Sequence, residues 1–259
     1  MSTTKKAKYP RQSQFEHQRP LRIVELHTAP RIASTVSPNL TYRGGPLLGN
    51  VQVFAIFWGN AWNTPANSPL LTHMNEFFDF ILTSKLMDQL SEYGVPGQPI
   101  GHGTRKGSTV FTTSQPGKTV TDAAIQAMLQ TEIASGIFPA ASSNSLYFVF
   151  LPPGTQVEQG GAKSCKTFCG YHDATSDNIF YAVMPYPGCT GCEGGLAIPD
   201  ALTSTSSHEL CEAITDPVPG KGWYDDANGE IGDICAWKTK TLGGYTVQLE
   251  WSNSADACV

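Results

Sequence analysis

Nowhere in the 259 residues do about eighteen apolar side chains run together, which excludes a helix that spans a membrane. Basic residues are in the minority, 17 Lys and Arg against 22 Asp and Glu, for a formal net charge of −5. Such a chain lacks the dense basic face that nucleic acid demands, so no nucleic-acid partner is expected. The polar, basic stretch 1–22 lacks the apolar core of a secretory signal. Cysteine is missing too until Cys165, but seven then follow. Their clustering points to disulfides and an extracellular, oxidising compartment, whereas the absent leader points to the cytoplasm as the alternative. No repeat or low-complexity block breaks the chain. A hydrophobic share of 40% is enough for one sizeable core, so a single soluble domain is expected.

Residues 1–40 mix Lys5, Lys6, Lys8, Arg11, Arg19 and Arg22 with Pro, Ser and Gln and show no sustained apolar period, which predicts a mobile N-terminal tail ahead of a domain over 41–259. A covering pro-segment is the functional alternative for that tail. Asn39-Leu40-Thr41 matches a glycosylation triplet of a kind that also arises by chance. The near-continuous apolar run over 51–58 predicts a buried central strand. From Pro69, the spacing of Leu70, Leu71, Met74, Phe77, Phe78, Ile81, Leu82, Met87 and Leu90 predicts one long helix in which His73 is an ordinary member. Residues 101–113 suit a hairpin or an irregular strand. A helix starts at Thr121-Asp122 and stops at Gly136, strands lie over 146–151 and 179–184, and a last helix runs over 200–215 until Asp216-Pro217 ends it. Together these predict an α+β fold, a mixed twisted sheet packed on helices.

The last helix carries His208-Glu209-Leu210-Cys211-Glu212. Residues four apart stand one above the other on a helix, so His208 and Glu212 can grip one cation. Glu209 is turned aside by about a hundred degrees and is the candidate general base for a metal-activated water. The geometry is that of HExxH, with Glu212 in place of the second histidine. A carboxylate ligand leaves less positive charge on the metal, so Mn2+ or Fe2+ joins Zn2+, the first choice, as a candidate ion. Downstream, Glu230-Ile231-Gly232-Asp233 offers Glu230 as third ligand, with Asp233 orienting or replacing it. Asp216 and His172 are further candidates to support or complete the set. His102, between two glycines, has no evident partner.

The acidic loop with Asp225, Asp226, Asn228 and Glu230 lacks the full alternation of an EF-hand and reads as a turn at Asn228-Gly229 rather than a calcium site. Cys165 with Cys169, and Cys189 with Cys192, are spaced like a zinc-binding set, while Cys235 with Cys258 would staple the acidic loop to the C-terminal end. Three disulfides are the simpler reading, with connectivity open, and Cys211 is left as a buried free thiol.

Gly44-Gly45-Pro46-Leu47, Cys169-Gly170-Tyr171-His172, Ser207-His208-Glu209-Leu210, Glu212-Ala213-Ile214-Thr215-Asp216-Pro217 and Glu230-Ile231-Gly232-Asp233-Ile234-Cys235 together resemble the phosphate-induced, EXORDIUM-like protein family and its microbial relatives, from about Tyr42 to Val259. The resemblance implies an extracytoplasmic protein, in plants connected with growth and the cell wall, without a defined reaction. Retention of the His and Glu positions makes the chain resemble a metallopeptidase-like microbial branch, which implies a zincin-like fold. The expected function is a metal-dependent hydrolase, a peptidase or amide hydrolase, acting on a peptide or small-molecule substrate. A strand such as 179–184 would align an extended peptide. The rivals are a secreted, wall-associated binding protein with a structural metal, and a mononuclear iron enzyme using His172, His208 and Glu212 on a small metabolite.

Overall fold

The computed structural model describes residues 23–28, 36–189 and 191–259. Its centre is a six-stranded mixed sheet of β1 (Ile23–Glu25), β2 (Gln52–Trp58), β3 (Thr104–Phe111), β4 (Ser145–Phe150), β5 (Phe168–Ala174) and β6 (Phe180–Met184), in the order β1-β5-β6-β4-β2-β3. Strands β6, β4, β2 and β3 run parallel, and β5 and β1 close one side antiparallel.

Helices cover both faces, which is why the central strands are apolar at every position rather than at alternate ones. On one face Ala55, Phe57, Phe148, Phe150, Ala182 and Met184 join Phe77 and Phe78 of α1 (Ser68–Ile81), Leu86 of α2 (Lys85–Leu90), and Leu210 and Ile214 of α4 (Ile198–Thr215). On the other, Ile56, Tyr147, Val149, Tyr181 and Val183 pack on Ile125, Met128 and Leu129 of α3 (Asp122–Ala134). The two sets alternate along each strand, as the pleat dictates.

Helix α4 is buried from Ala201 to Thr215, although much of it is Ser and Thr. The sheet lies on one side and the hairpin of β7 (Thr239–Leu242) and β8 (Tyr245–Gln248) on the other. Its hydroxyls are consumed in place: Thr203 donates to the Thr246 carbonyl at 2.7 Å, and Ser207 Oγ accepts the Gln248 N–H at 2.9 Å.

Three expectations change. The long helix from Pro69 is two helices, because Ser84 bonds the Ile81 carbonyl and then accepts from the Leu86 N–H, so that it ends one helix and caps the next. Of the two forms expected for 101–113, the irregular strand is the one that forms, parallel to β2 with a bulge between Val53 and Phe54 where Gly107 takes φ 141°. The strand over 179–184 cannot align a peptide: β6 is hydrogen-bonded to β4 and β5, so both of its edges are taken. The stretch expected to be a tail contains β1, which pairs with β5, and Leu40, which is buried in the core. Residues 1–22 and 29–35 lie outside the described residues.

The disulfides are Cys165–Cys189, Cys169–Cys192 and Cys235–Cys258, and Cys211 is a buried free thiol. The first two fasten the start of β5 to the loop that leads into α4 and give an oxidising compartment a structural reason. Among the described residues no helix is long and apolar enough to cross a membrane.

Candidate metal centre

Three segments meet over the second half of α4. Strand β5 carries His172, the helix carries His208, Glu209 and Glu212, and the loop after the Asn228-Gly229 turn carries Glu230 and Asp233. The turn forms as its residues predict: Asp225 Oδ1 accepts from the Ala227 and Asn228 N–H groups, and Gly229 takes φ 91°. Asp225 is engaged with backbone, and Asp226 with exposed Arg43, so this loop gathers no cation site.

His172, His208, Glu209, Glu212 and Glu230 are wholly buried. Two triads of potential donor atoms form among these groups, with all donors of a triad within 4.8 Å: His172, Glu209 and Glu212, and His208, Glu212 and Asp233. In the first, His172 Nδ1 is 3.1 Å from Glu209 Oε2 and 3.5 Å from Glu212 Oε2. Those separations match the edge of a tetrahedron around an ion at about 2.1 Å from each donor, which is about 3.4 Å. In the second, His208 Nε2 is 2.9 Å from Glu212 Oε1 and 4.0 Å from Asp233 Oδ1. Glu230 Oε1 approaches His172 Nε2 at 3.6 Å.

Several of these atoms have no hydrogen-bond partner: Glu209 Oε1, Glu212 Oε2, His208 Nε2 and both oxygens of Glu230. A buried polar atom without a partner costs on the order of 1–3 kcal/mol, and a charged one more. These atoms come from two segments, α4 and the loop that carries Glu230, and with His172 of β5 beside them they form a group that could hold a cation. Electrostatics agree. Burial, with Glu212 nearby, raises the Glu209 carboxyl, and burial with other acids around them pushes Glu230 and Asp233 well above the usual carboxylate range. Burial would raise Glu212 as well, but His208 and His172 hold it down at about 2. Burial lowers the histidines, yet the acids outweigh it: Glu230 and its neighbours raise His172 well above the ordinary value, and Glu212, Glu209 and Asp233 bring His208 to about 10. With this excess of carboxylates, either protons or a metal ion must supply the balancing charge.

Asp216 lies beside the cluster but spends its carboxylate on the backbone N–H groups of Gly220, Lys221 and Gly222, while its carbonyl accepts from His172 Nε2 at 3.1 Å. Since a carbonyl can only accept, that bond places a proton on Nε2 and leaves Nδ1 as the nitrogen that faces Glu209 and Glu212. His102 pairs with Asp88 at the surface, and His73 packs on Tyr245, both far from this chemistry in their contacts. Two buried residues escaped the sequence reading. Gln248 touches His208 Nδ1 at 2.7 Å, and Glu250 is fully buried with neither oxygen partnered. Neither lies in a motif, and a lone Gln or Glu at the end of a hairpin carries no signal before the fold is known.

A surface cleft of about 760 Å³, lined in part by Leu47, Asn50, Gln98, Asn144 and Phe180, shares no residue with the cluster. Fold and site therefore define an α+β protein with one long buried helix on a mixed sheet and a buried His/Glu cluster that could hold a metal ion. No protein-family model, curated protein or solved structure matches the chain.

Proposed function

We propose that the protein is a metal-dependent hydrolase of zincin-like build, with zinc as first choice and manganese or ferrous iron as alternatives. The observation that carries this reading is the set of unpartnered donor atoms around His172 and Glu212. The donors, one imidazole and several carboxylates, fit zinc and harder divalent ions alike. When bound, the ion would act as a Lewis acid that activates water and polarises a carbonyl oxygen.

The chain's own residues divide the remaining work. His172 Nδ1, Glu209 and Glu212 hold the ion, and the Asp216 carbonyl fixes the His172 ring. Glu230, with two unpartnered oxygens outside both triads, is the group left free to take a proton. Relative to the helix motif alone, this exchanges the roles of Glu209 and Glu230. Gly232 packs directly over His208 and Glu212, so the segment 229–233 covers this side of the cluster. The same reading places the chain with the microbial branch of the phosphate-induced, EXORDIUM-like proteins, on the residues quoted above, and outside the cytoplasm on its three disulfides.

The test is metal analysis of untagged protein, followed by a screen of peptide and amide substrates. His172→Ala should lose the ion. Glu230→Gln should keep it and cut turnover by about 10²-fold or more, the usual worth of a general base. Turnover that survives both His172→Ala and chelation would remove the metal from this reading. Complete burial of the cluster favours a second reading, a structural cation in a secreted binding module. That reading expects bound metal and a raised melting temperature with no turnover on any substrate.

A further inference from the structure

Both histidines of the cluster carry a ring proton on Nε2, but the carboxylates meet His172 at Nδ1 and His208 at Nε2, and the cause for His208 lies in Gln248. Its side chain is 2% exposed and pinned by two backbone groups: the Trp237 N–H donates to Oε1 at 3.1 Å, and Nε2 donates to the Gly232 carbonyl at 2.9 Å. Turning the amide over would set its oxygen against the Gly232 carbonyl and its NH2 against the Trp237 N–H. Both contacts would become like against like, so the orientation is fixed. The second hydrogen on Nε2 then points at His208 Nδ1, 2.7 Å away. An amide nitrogen donates only, so Nδ1 must accept, and the ring proton of His208 sits on Nε2.

A ring nitrogen that carries a proton has no lone pair for a metal. The acceptor nearest His208 Nε2 is Glu212 Oε1, at 2.9 Å although off the ideal hydrogen-bond direction, with Asp233 Oδ1 next at 4.0 Å. Glu212 Oε1 also accepts the Asp233 backbone N–H at 3.1 Å. One carboxylate oxygen thus faces two N–H groups, while Oε2 has no partner and lies 3.5 Å from His172 Nδ1. A second proton on His208 Nδ1 would confront the Gln248 hydrogen, so the geometry places the first ring proton on Nε2.

We propose that His208 is a positioning residue rather than a ligand: Gln248 fixes its proton on Nε2, and that N–H lies against Glu212 Oε1 as a close charge contact rather than an aligned hydrogen bond, which leaves Oε2 to face the cation beside His172. The inference rests on the metal-centre reading above for the ion itself. The orientation of the His208 ring proton does not depend on it.

Two-bond proton–nitrogen NMR of isotope-labelled protein reads both rings directly. Expected is a protonated Nε2 and a bare Nδ1 on His208 in metal-free and zinc-loaded protein alike, with the His172 Nδ1 resonance displaced by zinc. Loading with NMR-active cadmium should give metal–nitrogen coupling to His172 and none to His208. Coupling to His208, or a proton on its Nδ1 in the metal-free protein, would overturn the proposal. If no ion binds, the metal reading falls, while the metal-free tautomer still decides this one. Variants supply the second arm. His208→Gln keeps an N–H donor and should retain one zinc per chain, whereas His172→Gln should lose it; the reverse result would make His208 the ligand.

Discussion

Gly232 shows how tightly single atoms are fitted at this centre. Its φ is an ordinary −78°, so the backbone does not require glycine, but a Cβ there would lie 2.8 Å from His208 Nδ1 and 2.9 Å from Glu212 Oε1. Gly232→Ala must therefore displace the His208–Glu212 pair or the segment 229–233. Overpacking of this kind typically costs about 1–3 kcal/mol. If the displaced pair includes a ligand, zinc affinity should fall by about tenfold or more. Calorimetric titration of the metal-free variant checks it, and unchanged affinity would refute the loss and mean that the segment 229–233 gives way without moving a ligand. Part of this was legible in the sequence. The spacing of His208 and Glu212 and the later acids marked the helix and loop where the buried cluster forms. His172 was a candidate from the sequence, but its pairing with Glu209 was not legible, because it arrives from a strand 37 positions earlier. A helical wheel can place Glu209 aside from His208 but cannot show what stands on that side.

At the scale of elements, the decisive contact is between α4 and β5. Gly170 lets the helix approach the strand: a Cβ there would meet Thr205 Cγ2 at 2.8 Å and Glu209 Oε1 at 3.1 Å. Gly170→Val should lever the helix off the strand that bears His172, destabilising the fold by about 1–3 kcal/mol and weakening zinc binding together with it. A denaturant midpoint left unchanged would mean that the helix has slack against the sheet. The same contact explains which elements could be read in advance. Strands β2, β4 and β6 announce themselves as apolar runs, since both faces are covered. β5 does not, because Gly170, His172 and Asp173 interrupt the β-branched and aromatic pattern, and those are the positions that let it serve the site. The break between α1 and α2 hid for a different reason: the apolar stripe continues across Thr83 and Ser84, so periodicity alone sees one helix.

Over the whole molecule, the cluster sets how stability depends on acidity and on metal. Glu209, Glu230 and Asp233 have carboxyls raised by burial, so in the metal-free fold they hold protons that the unfolded chain releases at about pH 4. The folded state then binds more protons than the unfolded one across the range between those values, and stability falls as pH rises through it. Glu212 acts in the opposite sense, but its contribution is complete above about pH 4.5 and is lost only toward about 2. From about pH 5 upward the raised groups therefore control the slope: metal-free protein should melt at a lower temperature at pH 8 than at pH 5.5. Zinc binds the deprotonated ligands, so its stabilisation should run the other way, small at pH 5.5 and large at pH 8, where saturation at about a hundred times Kd adds about 2.7 kcal/mol. Melting curves with chelator and with zinc at the two pH values test both signs, with disulfides kept oxidised so that the staples on β5 stay constant. A zinc-induced shift equal at both pH values, or larger in acid, would mean that the ion is held by groups other than these buried carboxylates.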